Sequence, residues 1–306
     1  MRQPSHRAGQ LVDKLPRVQQ ERLAFLDFRL YFLGELRRTD VTERFGTAPA
    51  GATRDIAQYK EIAPGNLALD PATKVYRPTS SFSPVFEHQP QRVLTALSQG
   101  FGDGLGDKLE AMVPCSLPMP LSVPKLDVLA PISRALKAGM PAHIQYVSVE
   151  SGKSSRDIVP LALVYNSVRW HVRAFDRKSR GFRDFVLTRI SKAEVLDGSE
   201  VTREEASESD VQWTRVIELE LVPHPSHPRK EAVLMDYDMP DGVLYLKVRA
   251  VHAGYLMRLW SVDCSPDHRM QGREFALWLR DPLSLYGAEN AHLAPGYVNP
   301  RSLSGE

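Results

Sequence analysis

The chain has 306 residues, 42% of them hydrophobic and 25% charged, with a formal net charge of +2. That length supports two or three domains with cores of their own, and so small a net charge names no partner by itself. Its two cysteines, Cys115 and Cys264, lie far apart with no paired spacing, which excludes a disulfide framework or a thiolate metal site. The first 14 residues carry no apolar leader core and no run reaches bilayer length, so the sequence predicts a soluble cytoplasmic protein with a polar, mobile tail over 1–14.

How the charge is distributed says more than its total. Residues 1–78 hold 13 Lys/Arg against 9 Asp/Glu, and residues 190–245 hold 5 against 13. Residues 146–190 hold nine against four, a net of +5 on a few short strands. A basic end, a basic middle and an acidic segment suggest separate surfaces for separate partners.

From Arg17 to Arg38, Leu23, Leu26, Leu30 and Leu33 fall near three- and four-residue spacing, and Phe25, Phe28, Tyr31 and Phe32 widen the buried face of an amphipathic helix. Thr39 and Asp40 cap a short second helix, Val41 to Phe45, which Gly46 closes. A third helix runs from Ala50 or Gly51 to Ile62 and stops at Pro64-Gly65. Two three-residue strands joined by a turn follow, between Asn66 and Pro78. This order within about 60 residues is the plan of a winged helix-turn-helix over 15–80. The N-terminal part of such a third helix enters the major groove, where small residues let the backbone approach. Ala50, Gly51, Ala52 and Thr53 meet that need, Thr47 just ahead of them belongs to the same surface, Arg54, Gln58 and Lys60 can reach bases or phosphates, and Lys74, Tyr76 and Arg77 lie on the wing. A helical protein-interaction domain with the same topology is the alternative.

Residues 81–139 read as a connector, punctuated by prolines, with helical pieces at Gln91 to Gln99, Gly106 to Met112 and Pro124 to Gly139. The last carries Leu126, Leu129, Ile132 and Leu136 on one stripe. The glycines from Gly100 to Gly106 fail dinucleotide-loop spacing and follow no strand, so they predict a turn. Short runs at His143–Val149, Asp157–Tyr165, Val168–Phe175 and Phe182–Leu187, broken by turn residues, then predict a small antiparallel sheet or barrel over 140–196. Period two places Trp170, Val172 and Ala174 on one face of their strand and His171 and Arg173 on the other. A barrel face carrying Tyr146, Arg156, His171, Arg173, Arg183 and Arg189 would suit a phosphate, a nucleotide or a single strand, because guanidinium forks match phosphate oxygens. Read as ordinary strand surface, the same charges would simply be solvated.

The acidic residues 197–212 predict a solvated linker. After it come strand Val216–Val222, helix Pro228–Tyr237, strand Val243–Val251 and helix His252–Val262. A tail then packs through Phe275, Trp278 and Leu279, giving a small α+β domain over 213–306. His224 and His227 lack an acid or cysteine at ligand spacing, so no metal is expected, and no catalytic constellation or cofactor motif stands out.

The pattern Tyr146, Gly152, Arg156, Pro160, Trp170-His171-Val172, Asp176 and Arg183-Asp184-Phe185-Val186-Leu187-Thr188-Arg189-Ile190 resembles the WYL domain of bacterial transcriptional regulators, with His171 and Val172 in place of the Tyr and Leu of the family's name. Ala52 to Ile56 resembles the recognition helix of bacterial winged-helix repressors. The resemblance implies an α+β multidomain regulator: a winged helix-turn-helix, an Sm-like small β-barrel that senses a ligand, and a C-terminal dimerisation domain. The variant Trp170-His171-Val172-Arg173-Ala174, followed by Phe182 to Leu187, is similar to the branch found beside phage-defence operons. On that basis Tyr146, Arg156, Trp170, His171, Arg173, Arg183 and Arg189 form the ligand site. The expected function is a homodimeric repressor, not an enzyme, that reads an inverted repeat in double-stranded DNA and answers to a nucleotide or single-stranded nucleic acid. A nucleic-acid-processing enzyme or a protein-binding adaptor using the basic barrel is the alternative.

Overall fold

The computed structural model describes residues 10–101, 111–118 and 120–300. The chain divides into two compact units, 1–118 and 119–306, and the division falls inside the stretch that the sequence reads as one connector. Most of the expected helix from Gly106 to Met112, and most of the glycine run before it, lie outside the described residues; Ala111 and Met112 are not helical.

In the first unit, helix α1 (Arg17–Phe28) passes into a π-helical turn, Arg29–Leu33, that ends at Gly34 with φ +70°. The single helix expected to Arg38 therefore stops early. Only glycine enters that left-handed turn at no steric cost, and beyond it Leu36 pairs with Tyr76 as a β-bridge. Helix α2 (Arg38–Phe45) begins where the Asp40 carboxylate accepts the Arg37 N–H at 2.6 Å, and ends at Gly46 with φ +59°. Helix α3 (Pro49–Ile62) starts on a proline, whose missing N–H is no loss in a first turn. It turns Ala52, Asp55, Ile56 and Tyr59 inward. Strands β1 (Leu67–Leu69) and β2 (Tyr76–Pro78) form the antiparallel wing, and α4 (Pro90–Gln99) follows.

In the second unit, α5 (Leu126–Ala138) packs on the sheet through Val128, Ile132 and Ala135. Leu126, expected on the buried stripe, is 79% exposed at the first position of the helix, ahead of that contact. Strands β3 (Ala142–Ser148), β4 (Gly152–Tyr165), β5 (Trp170–Asp176), β6 (Gly181–Val186) and β7 (Ile190–Val195) form an antiparallel sheet in the order β6-β5-β4-β3-β7. The chain leaves edge strand β6 and enters the other edge strand, β7, through only a three-residue 3-10 turn, Leu187–Arg189. So short a link forces the sheet to curl until its edges approach, which makes a small barrel. The Val186 N–H donating to the Tyr146 hydroxyl at 3.4 Å spans that closure.

The acidic residues 197–212 are not a solvated linker. Glu205 and Asp210 are buried, because Arg177 and Arg173 of the barrel reach out to them. Beyond the short helix α6 (Val211–Thr214), a second sheet of β8 (Val216–Pro223), β9 (Leu244–Arg249) and β10 (Leu277–Leu279) runs in the order β10-β8-β9. Helices α7 (Lys230–Asp236) and α8 (Ala250–Leu259) accompany it. Its core gathers Ile217, Leu219 and Leu221 with Val233, Met257 and Leu285. No helix among the described residues is long and apolar enough to cross a membrane.

Candidate functional site

Two places bring the sequence-predicted residues together, one in each unit. In the first, the inward face of α3 is held by specific polar contacts. Arg22 of α1 grips Asp55 with Nε to Oδ2 at 2.7 Å and a second nitrogen to Oδ1 at 3.2 Å. Such a two-pronged contact fixes rotation as well as distance. With that face fixed, Ala50, Thr53, Arg54 and Lys60 are exposed on the other and Gly51 is half-buried. Gln58 is half-buried and tied to the Gln19 side chain. Thr47, just before the helix, holds a buried hydroxyl without a hydrogen-bond partner.

On the wing, Asp70 caps the turn through the Thr73 hydroxyl and the N–H groups of Ala72 and Thr73, and these bonds draw its pKa below the usual carboxylate value. Lys74 then sits at φ +57°, exposed at the tip, and Arg77 is exposed on β2. Tyr76 is half-buried against the core, and its backbone pairs with Leu36.

Asp27, which sequence reasoning missed, is fully buried in the same unit. It accepts from the Tyr59 hydroxyl, from the Val85 N–H at 3.0 Å and the Phe86 N–H at 3.4 Å, and pairs with His88 Nε2 at 2.8 Å. Burial, then Asp27, pushes the Tyr59 pKa far up, so the phenol stays a donor. Asn66 completes the joint by donating to the Tyr59 oxygen and to the Ser83 carbonyl. Asp27 therefore pins helix α3 to the segment that follows the wing. The available signal was an acid set among Phe25, Leu26 and Phe28 on an apolar helix face.

In the second unit a cavity of about 860 Å³ opens between the barrel and the C-terminal domain. The barrel contributes Tyr146, Arg156, Arg173, Arg183 and Arg189 of the predicted site, together with Lys178, Phe182 and Phe185. The far wall is Val251, Tyr255, Glu289, Asn290 and His292, none of them predicted, because they lie about 100 residues further along the chain. Trp170 and His171 do not line it. Trp170 is 40% exposed and stacks on Tyr165 with centroids 4.8 Å apart. His171 is buried, its ring tilted against Tyr255 at 6.0 Å. Burial, then the charge of Arg169, pulls the His171 pKa down to about 4.

The net +5 counted along 146–190 is partly offset in space by acids from outside that stretch, Glu205, Asp210 and Glu289, and its own Asp176 and Asp184 are held in ion pairs. Asp176, fully buried, takes Arg156 at 2.5 Å and lies 3.9 Å from Arg183. Arg173, 2% exposed, is forked onto Asp210 at 2.7 and 2.9 Å, with Asp184 at 3.4 Å and Glu289 at 3.5 Å. Burial alone would lower its pKa, but these acids outweigh it and hold the guanidinium charged. Asp184, half-buried beside them, has its pKa raised by burial and only partly restored by Arg173. The period-two expectation that His171 and Arg173 share a face opposite Val172 and Ala174 overlooks that both faces of β5 are covered, one of them by residues of another domain. Arg189 and Lys178 line the cavity and make no ion pair among the described residues, while Arg183 is 60% exposed with its Nε on the Ser179 hydroxyl. Those three form the cationic side still open to a ligand. No group of metal-ligating side chains occurs among the described residues.

Family comparisons match three successive stretches of the chain. Residues 18–99 match the winged helix-turn-helix domain of the BrxR transcriptional regulator, 127–195 the WYL domain, and 216–285 the C-terminal dimerization domain of BrxR. The chain is 32% identical over 250 residues to the DNA-binding transcriptional repressor CapW of Escherichia coli (strain KTE188), covering 78% of this chain and 81% of that protein. It is 31% identical over 280 residues to CapW of Pseudomonas aeruginosa, covering 87% and 90%. The solved proteasome accessory factor B/C of Arthrobacter aurescens aligns at 17% identity and a TM-score of 0.25, covering 94% of this chain and about half, 52%, of its own. With its three domains matched in order and more than two thirds of its CapW relatives covered, the chain belongs to the BrxR/CapW family of winged-helix, WYL-domain transcriptional regulators.

Proposed function

We propose that the protein is a dimeric, cytoplasmic repressor of an adjacent phage-defence operon, that it binds an inverted repeat, and that an anionic ligand in the barrel cavity controls it. Two symmetry-related recognition helices would read two half-sites, with Thr53 and Arg54 at base edges and Lys74 and Arg77 on phosphates. The CapW relatives are named as DNA-binding repressors, which favours regulation over catalysis. The observation that carries ligand control is the pair Arg189 and Lys178, cations with no acid partner among the described residues, on a cavity that two domains wall. An anion there touches both domains at once, so it favours whichever arrangement of them binds it better. By linkage it weakens DNA binding by the same factor by which DNA weakens its own binding.

The test is fluorescence anisotropy on DNA from upstream of the gene against a scrambled duplex, at several salt concentrations, with and without nucleotides and short single strands. A preference of about 10³-fold or more that a nucleotide or single strand reduces in the wild type, and not in Arg189→Ala, supports the reading. Equal, steeply salt-dependent binding to both duplexes removes it.

A further inference from the structure

The C-terminal sheet has two edges, and they are finished differently. On the β10 side the strand is three residues long and the chain folds back over it. Asp263 bridges to Trp278, its N–H donates to the Leu277 carbonyl at 3.0 Å, and its carbonyl accepts the Leu279 N–H at 2.9 Å. On the other side β9 pairs with β8 along all six residues, from Leu221↔Leu244 to Val216↔Arg249, and no strand lies beyond it among the described residues. An open edge of that length is a template for another strand.

Two features separate this edge from one built to repel. Its cations are already engaged, Lys247 by Glu218 at 2.7 Å and Arg249 by the Trp213 carbonyl at 2.5 Å, so they do not present the bare charge that usually blunts an edge. Its apolar row is also incompletely covered. Leu244, Leu246 and Val248 face the core yet are only half-buried, whereas Ile217, Leu219 and Leu221 on the neighbouring strand are 4%, 1% and 0% exposed. On the opposite face Tyr245 is 66% exposed.

We propose that the β9 edge is the dimer seam: β9 of one protomer pairs antiparallel with β9 of its partner, joining two three-stranded sheets into one of six. This rests on the dimer reading above, and the occupant follows from the match of these strands to a dimerization domain. Residues directly opposite in an antiparallel pair point to the same face, so the register must keep apolar opposite apolar. Placing Leu246 opposite its own copy sets Leu244 against Val248 and Tyr245 against Lys247. The alternative that sets Lys247 opposite itself brings like charges together and is disfavoured.

In a Cys115→Ser background, which removes the exposed native thiol, Tyr245→Cys and Lys247→Cys chains are co-expressed, oxidised and compared with each variant alone. Both positions are exposed, so folding is retained. Opposed Cα atoms lie about 4.5–5.5 Å apart, within disulfide reach, whereas two copies of the same position lie diagonally at roughly 7–8 Å, outside it. The expected result is at least tenfold more cross-linked dimer from the mixture than from either variant alone. A chain that sediments as a dimer while the mixture cross-links no better overturns the seam and leaves the dimer standing. A monomer at micromolar concentration overturns both.

Discussion

Asp27 in the first unit and Arg173 in the second are each a buried charge around which their unit closes, and they are satisfied in opposite ways. Asp27 is an acid surrounded by donors, two of them backbone N–H groups, that cannot withdraw without unfolding the segment after the wing. Arg173 is a cation with more acid around it than it can neutralise, drawn from β6, from the acidic stretch and from the C-terminal domain. One of those acids, Glu289, is 62% exposed and lines the cavity. The Asp27 joint is fixed, whereas the Arg173 joint has a replaceable member, as the proposed passing of ligand binding from one domain to another requires.

Removing each charge breaks this comparison most directly. Arg173→Ala leaves Asp184 and Asp210 in a poorly solvated wall without their counter-ion, and a loss of about 3–5 kcal/mol is expected in urea unfolding of the second unit. Asp27→Ala leaves a phenol, an imidazole and two backbone N–H groups without their acceptor, and is expected to cost about 3 kcal/mol. Its effect should appear as uniformly weaker binding to all DNA, because the recognition helix is no longer pinned. A change in base preference instead would mean that Asp27 acts on groove contacts directly. Glu289→Gln sharpens the contrast: with its side chain largely exposed, it should cost under about 1 kcal/mol in stability. It should also tighten binding of an anion in the cavity, measured by calorimetry with the most effective nucleotide. No change in affinity would show that Glu289 does not compete for Arg173.

Within the first unit the same logic separates base contacts from phosphate contacts. Arg54→Ala should reduce discrimination at one base position by about 1–3 kcal/mol. Lys74→Ala should weaken every sequence alike and lower the salt slope by about one ion. Equal losses on specific and random DNA for both would remove the groove assignment.

What the sequence made legible is local. The two helices, Gly46 between them and the wing all follow from spacing, caps and turn residues within about 60 positions, and the barrel strands follow from alternation broken by glycine and serine. The ends failed where distant partners decide. The first helix and the π-helical turn that continues it stop at Leu33 because Gly34 turns the chain so that Leu36 can meet Tyr76, 40 positions on. The acidic stretch reads as solvated until Arg173 and Arg177, 37 and 28 positions away, are found to bury two of its carboxylates. The far wall of the cavity was invisible for the same reason: Tyr255 and Glu289 carry no local mark that they will face Arg173 and Arg189.

The smallest expected effect concerns His171, which stands beside that cavity without lining it. Its pKa falls from 6.5 to about 4, first through burial and then through Arg169. The unfolded chain therefore binds a proton that the folded chain refuses, so stability is unaffected above about pH 6.5 and declines as pH falls toward 4. His252, also shifted down by burial, adds a decline of the same sign. Replacing His171 by Asn should flatten part of the pH profile of the second unit's unfolding between those limits and leave the profile at pH 8 unchanged in shape. An unaltered slope would mean that the imidazole finds water or a proton acceptor in the folded state. In that case His171 would join the cavity's titrating groups, and ligand affinity would itself change over the same range.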